Sequence, residues 1–262
     1  MIKMWPDHYL NTLRLFILAI LAALFMCPAA NSADAVPHYY PFETGENGIT
    51  PDEWGDADGL LVNGAGIINC PLNSPDPDNE LFLDGVDDYV ALPSDFSFDY
   101  LGNIFIIDVD VIIQFQNTDI QTIIANTEPT VNKNGFKLFV NSFAHPGDWT
   151  VCFESGNGSS GTQVCTDDYV FIYDTWNHIK VIADADDFWV QIFVNYQLEA
   201  EGPTAVGFNL VGDTDIGRMR PGEFTDLLNL GGCMDNLVIV PEPSSISLLA
   251  LSALSLRRRR KP

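Results

Sequence analysis

Between residues 36 and 240 the chain alternates short apolar or two-residue-period runs with clusters of Gly, Pro, Asn and Asp, and helical periodicity is nearly absent. Runs of this length and period fit half-buried strands separated by turns. The pattern predicts strands at 80–83, 89–92, 104–115, 121–125, 135–141, 150–154, 178–183, 188–194 and 237–240, with a second short strand after a turn near Asn195 and Tyr196. In the run IFIIDVDVIIQF the alternation sets Asp108 and Asp110 on one face and Val109 and Val111 on the other, so the two acids read as solvent-facing strand positions. Many short strands with regular turn signals predict an all-β, two-sheet antiparallel sandwich. Two short apolar segments, expected to be helical, flank it.

The ends break the pattern. Residues 1–14 are polar and partly basic, 15–27 are almost wholly apolar, and Ala33-Asp34-Ala35 has the small-x-small form of a cleavage site. That is the anatomy of a secretory signal peptide, cut after Ala35 by signal peptidase. The apolar run is short of the ~20 residues that a spanning helix needs. Small residues do not precede Cys27 in the way a lipoprotein signal requires.

At the other end, Pro241-Glu242-Pro243 is followed by the apolar stretch SSISLLALSALSL and the basic cluster RRRRK. Terminal Arg and Lys hold such a segment on the cytoplasmic side, giving transient membrane insertion. In order and content the tail resembles the PEP-CTERM sorting signal of Gram-negative bacteria. The resemblance implies processing by an exosortase-type enzyme and a place at the cell surface or in extracellular matrix rich in exopolysaccharide. The expected organisation is therefore a signal peptide at 1–35, one β domain at 36–240 and a sorting tail at 241–262.

Charge sharpens the picture of the domain. Of twelve Lys and Arg only five lie within 36–240, against thirty-three of thirty-six acids, so the domain carries about −28 charges where the whole chain carries −24. Such a field repels nucleic acid and anionic membranes and attracts cations. Ca²⁺, a hard ion with oxygen ligands, is the expected structural cofactor. The stretch DEWGDADG supplies Asp52 and Asp56 as candidate ligands, with Asp235 as a partner if the ends of the domain meet.

Four cysteines remain after signal removal. Cys152 and Cys165 sit in short strand-like runs on either side of the Gly/Ser loop at 155–161, which reads as a hairpin whose equal arms would set the two opposite each other in a disulfide. That leaves Cys70 with Cys233. Without a Cys-x-x-Cys pair, a cysteine zinc site is not expected.

Three stretches then carry a family resemblance. HYYPFETGENG with PDEWGDADGLLVNGAG and LFLDGVDDYVALP resembles the opening of a bacterial laminin-G-like, concanavalin A-like jelly roll. DTWNHIKVIADADDFWVQIFVNYQLEAEG resembles its central strands, and DIGRMRPGEFTDLLNLGGCMDNLVIV its closing strand. The chain departs from the family at Tyr196-Gln197, where Gly is usual in the turn, and at Cys233-Met234-Asp235-Asn236. The resemblance implies that the first and last strands share a sheet, which would let the Cys70–Cys233 bridge close the domain. Asp84-Gly85 and Asp87-Asp88 read as a tight turn stabilised by Asx hydrogen bonds.

Fold alone does not set function. The expectation is a non-catalytic, carbohydrate-binding or adhesive domain, with Trp54, Trp149 and Phe224 as aromatics able to stack on sugar rings. A purely structural matrix component is the alternative. A glycoside hydrolase or lyase is disfavoured. Retaining hydrolysis needs two carboxylates about 5–5.5 Å apart, and neither Glu199-Ala200-Glu201 nor Asp108/Asp110 matches the three-acid strand motif of the jelly-roll glucanases. The four His residues suggest no triad.

Overall fold

The computed structural model describes residues 36–70, 79–94, 96–98, 104–114, 120–126, 134–142, 149–210, 212–219 and 228–241. The signal peptide, the sorting tail from Glu242 onward and Phe224 lie outside the described residues. So do the two expected apolar helices. No helix among the described residues is long and apolar enough to cross a membrane.

The strands in chain order begin with β1 (His38–Tyr40), β2 (Ile49–Thr50), β3 (Gly59–Val62), β4 (Gly66–Ile68), β5 (Glu80–Asp84) and β6 (Tyr89–Ala91). Then come β7 (Ile104–Ile113), β8 (Ile120–Ala125), β9 (Gly135–Asn141), β10 (Thr150–Gly156) and β11 (Gly161–Cys165). The last are β12 (Asn177–Asp184), β13 (Trp189–Val194), β14 (Gln197–Pro203), β15 (Asp215–Ile216) and β16 (Gly231–Pro241). One sheet has the order β14-β13-β12-β7-β16-β5-β4, with β1 paired to the far half of β16. The other has the order β11-β10-β9-β8-β15-β6-β3-β2, and every pairing is antiparallel. We call them the first and second sheets.

Alternation places the core. In β7 the residues Phe105, Ile107, Val109 and Val111 are buried, while Ile106, Asp108 and Asp110 are half-buried on the opposite face. β12 repeats the pattern with Asn177, Ile179, Val181 and Ala183 inside. The inward faces of the two sheets meet in one apolar cluster. At its heart Phe98, Phe105, Phe136 and Phe153 pack at centroid distances of 4.7–5.4 Å, within the favourable range for aromatic pairs.

One disulfide closes across paired strands, and the other ties a connecting segment to a strand. Cys152 and Cys165 are directly paired in the β10–β11 ladder, and their bridge spans the hairpin. The hairpin turn is held by Asn157, whose side-chain oxygen accepts from the backbone N–H of Ser159 and Ser160. Cys70 joins Cys233, linking the segment before β5 to β16. This bridge sits with Ile112, Phe82 and Trp176 in a small apolar cluster separate from the main core.

The closing strand is longer than its sequence pattern predicts. β16 starts at Gly231 and contains a bulge between Asp235 and Val238, with Asn236 at φ 53°. A bulge breaks two-residue alternation, so the segment GGCMDN does not read as strand. Its last residue, Pro241, pairs with Phe105.

Loop length ranks the two bridges. The Cys70–Cys233 link spans 163 residues and the Cys152–Cys165 link 13, for which chain entropy gives about 5 and about 3 kcal/mol. Replacing Cys70 and Cys233 by Ala together is expected to lower the urea midpoint more than replacing Cys152 and Cys165. The reverse order in equilibrium unfolding would contradict this ranking.

Candidate functional site

The predicted calcium ligands Asp52 and Asp56 lie between β2 and β3, and Asp235 lies on β16. Asp52 is buried, and its carboxylate is already crowded with donors. One oxygen accepts from the backbone N–H groups of Tyr39, Trp54 and Gly55, and the other from Ala57 N–H and His38 Nδ1 at 2.6 Å. Burial alone would raise its pKa, but the hydrogen bonds from His38, Tyr39 and Gly55 outweigh it and hold the group at about 2. A carboxylate so occupied organises its loop, and no lone pair is left to face a cation. Asp56 is exposed on the same loop, and Asp235 is on β16 beside Asp110. The three do not converge into a cation cage.

The acids that do approach one another within 4.8 Å, among the described residues, are Asp84, Asp87 and Asp88. Asp84 accepts from Val86 N–H, and Asp88 from the N–H groups of Asp84 and Gly64. These bonds hold the β5–β6 turn, with Gly85 at φ 76°, in the structural role its Asx residues predict.

The outer face of the first sheet is more informative. The register sets Asp110 between His178 on β12 and Asp235 on β16, with Asp108 beside Lys180 in the next row. His178 reaches Asp110 through Nδ1 at 2.9 Å and Asp108 through Nε2 at 3.2 Å. The hydrogen bond to Asp110 is the main cause that raises the His178 pKa. Tyr196, on the β13–β14 turn at φ 68° and 81% exposed, stacks on the imidazole at 4.3 Å. Asp235 is buried, and burial, reinforced by the charges of Asp110, Glu80 and Glu43, pushes its pKa up to about 7.

At the other end of β12 and β13 the same face holds a pocket of about 400 Å³, lined by Ile104, Ile182, Asp184, Asp187, Trp189 and Gln191. Three strands build it. Asp184 is opposite both Ile104 and Trp189, and Ile182 is opposite Gln191. Trp189 is 41% exposed, an indole that water can reach and that the core does not use. Gln191 donates to Glu201 at 3.1 Å, which fixes its amide and leaves the carbonyl oxygen as an acceptor. Asp184 accepts from the N–H groups of Asp186 and Asp187 with one oxygen. The geometry offers an apolar floor, one exposed aromatic ring and a few fixed polar groups, the usual make-up of a small-ligand site.

The aromatics singled out in the sequence fare differently. Trp149 is buried against Phe171 and Tyr173, so it is core. Trp54 is 52% exposed and packs on Tyr39. Trp189 was readable only as part of a strand, because its pocket depends on strand pairing and on Ile104, more than eighty positions away.

The Asp52 pKa is lowered from its ordinary 3.8 to about 2, so its contribution is complete above about pH 4 and lost as pH falls through about 2. Asp52→Asn is expected to cost about 2 kcal/mol at pH 7 and much less at pH 2. Urea unfolding of both proteins at the two pH values measures the gap, and a gap that does not shrink in acid would remove the charge from this account.

No protein-family model matches the sequence, and no curated protein matches it either. Solved structures do. Domain 4 of AbnA, a GH43 extracellular arabinanase from Geobacillus stearothermophilus solved in complex with arabinotriose, is similar at 15% identity over 82% of this chain and 98% of that one, with a TM-score of 0.51. The botulinum neurotoxin serotype D binding domain is similar at 12% identity over 86% of this chain and 52% of that one, with a TM-score of 0.54. At these identities the likeness is one of fold, and the fold is an antiparallel jelly-roll sandwich.

Proposed function

We propose that this is an exported cell-surface or matrix protein whose jelly-roll domain binds carbohydrate without catalysis, at the Trp189 pocket. The observation that carries the reading is the exposed indole beside an apolar floor and fixed polar groups on the outer face of the first sheet. The face of an aromatic ring takes the apolar face of a sugar ring, and flanking carboxylates and amides take its hydroxyls. The shared fold with an arabinanase domain solved with arabinotriose and with a toxin binding domain is in keeping with this. Two disulfides fit an oxidising, extracytoplasmic location.

The non-catalytic part has its own support. Asp110 and Asp235 are opposite each other across two strands, and the raised pKa of Asp235 would suit a general acid. Asp235 is only 2% exposed, however, and its two oxygens accept from the backbone and side chain of Asn236. A proton held there does not reach a glycosidic oxygen in the solvent-facing pocket.

Signal peptidase cutting after Ala35 and an exosortase-type enzyme acting at Pro241-Glu242-Pro243 complete the proposal, with an extracellular polysaccharide as partner. Intact mass of the native protein from cell envelope and from medium is expected to show both ends removed. A retained tail in the membrane fraction would make it a simple anchor. For the binding face, the full chain is presented to an array of extracellular polysaccharides. Trp189→Ala is expected to weaken retention at least about tenfold, as loss of a stacking aromatic does at a binding hot spot, without changing the melting temperature. Unchanged retention would move the site elsewhere, and no retention of any glycan by the wild type would sink the carbohydrate reading.

A further inference from the structure

The charge around the pocket narrows the class of glycan. Resting on the carbohydrate reading above, we propose that the Trp189 pocket selects sugars carrying a free, protonated amine, such as glucosamine units, over N-acetylated, neutral or uronic-acid sugars. Two of the six lining residues are the carboxylates Asp184 and Asp187, and none is Lys, Arg or His. Asp187 is exposed and makes no hydrogen bond with its side chain among the described residues, and Asp184 has one oxygen beyond its two turn bonds. Glu201 stands behind Gln191 on the next strand.

Among the described residues, the basic side chains of β12 are drawn to other acids. Lys180 lies within 4.0 Å of Asp108, and His178 is held between Asp108 and Asp110. The whole domain adds about −28 charges. A uronate chain would therefore meet like charge at every approach, and a cationic chain would be drawn in. Inside the pocket an ammonium group gains twice. The indole face of Trp189 attracts a cation, and a carboxylate accepts a charge-assisted hydrogen bond from it. N-acetylation removes both gains while keeping the ring that stacks. The carbonyl of Gln191 accepts equally from hydroxyl or amine, so it does not discriminate.

The test uses the full chain and four probes of equal length in calorimetric titration at about pH 6: a fully deacetylated glucosamine oligomer, its N-acetylated counterpart, an oligouronate and oligolysine. The deacetylated oligomer is expected to bind at least about tenfold tighter than the N-acetylated one in dilute buffer, a preference that shrinks as salt approaches about 1 M. The oligouronate is expected not to bind. Asp187→Asn alone should narrow the preference, and Asp184→Asn with Asp187→Asn should bring it below about threefold while N-acetylated binding persists. Melting temperatures check the fold, and the single variant leaves the turn bonds of Asp184 intact. If both glucosamine oligomers bind equally and Trp189→Ala abolishes both, the pocket reading stands and the charge inference falls. Oligolysine binding as tightly as the amino sugar would overturn the selection for a glycan. No binding by either glucosamine oligomer would overturn both readings.

Discussion

The ladder between β7 and β16 is the interaction on which the rest of the structure depends. It runs from the Gly232–Ile113 pair to the Pro241–Phe105 pair and joins residues more than a hundred positions apart. β16 then carries β5 and β1 end to end on its other edge, and β7 carries β12 on its own. Every outward residue of the first sheet takes its place from this register. A one-residue slip would send Val109 and Val111 to water and Asp108 and Asp110 into the core, at a cost no marginally stable domain could absorb.

The same register explains the contrast between the two ends of the outer face. At one end the carboxylates are tied down. His178 spans Asp108 and Asp110, Asp235 is buried under its neighbour, and Tyr196 lies over the imidazole. At the other end β12 and β13 turn over after Asp184, and Asp184 and Asp187 line a solvent-open pocket together with the indole of Trp189. One is a self-satisfied network and the other leaves capacity unused. The proposed ligand would meet the second.

How much of this was legible follows from where each signal resides. The strands β9, β12 and β13 were readable to within one residue because their alternation is local and uninterrupted. β1 to β4 are two to four residues long, too short for a period to register. The first half of β16 hid behind Gly231-Gly232 and the Asn236 bulge. The Cys152–Cys165 pair was readable because equal arms about a loop fix a register, a local property. Asp52 drew attention as part of an acid-dense stretch, yet sequence does not separate a carboxylate that cradles backbone N–H groups from one that holds an ion. The pocket at Trp189 joins Ile104 to a segment nearly eighty residues later, so no pattern along the chain could display it. Tyr196 did stand out, as an aromatic where a turn favours Gly, and it occupies the left-handed region that makes such a substitution costly.

Placing the final strand in the middle of a sheet has a consequence for how the molecule is made. Synthesis from the N-terminus delivers β7 long before β16. Until residue 241 emerges, one edge of β7 has no partner, and the flank that β16 will fill is an open row of amides beside Ile107, Val109 and Val111. Such edges recruit other chains. Completion is therefore late: the sheet closes only when nearly the whole polypeptide is available. A molecule truncated before Gly231 would lack the strand that links β7, β5 and β1, rather than merely a frayed end.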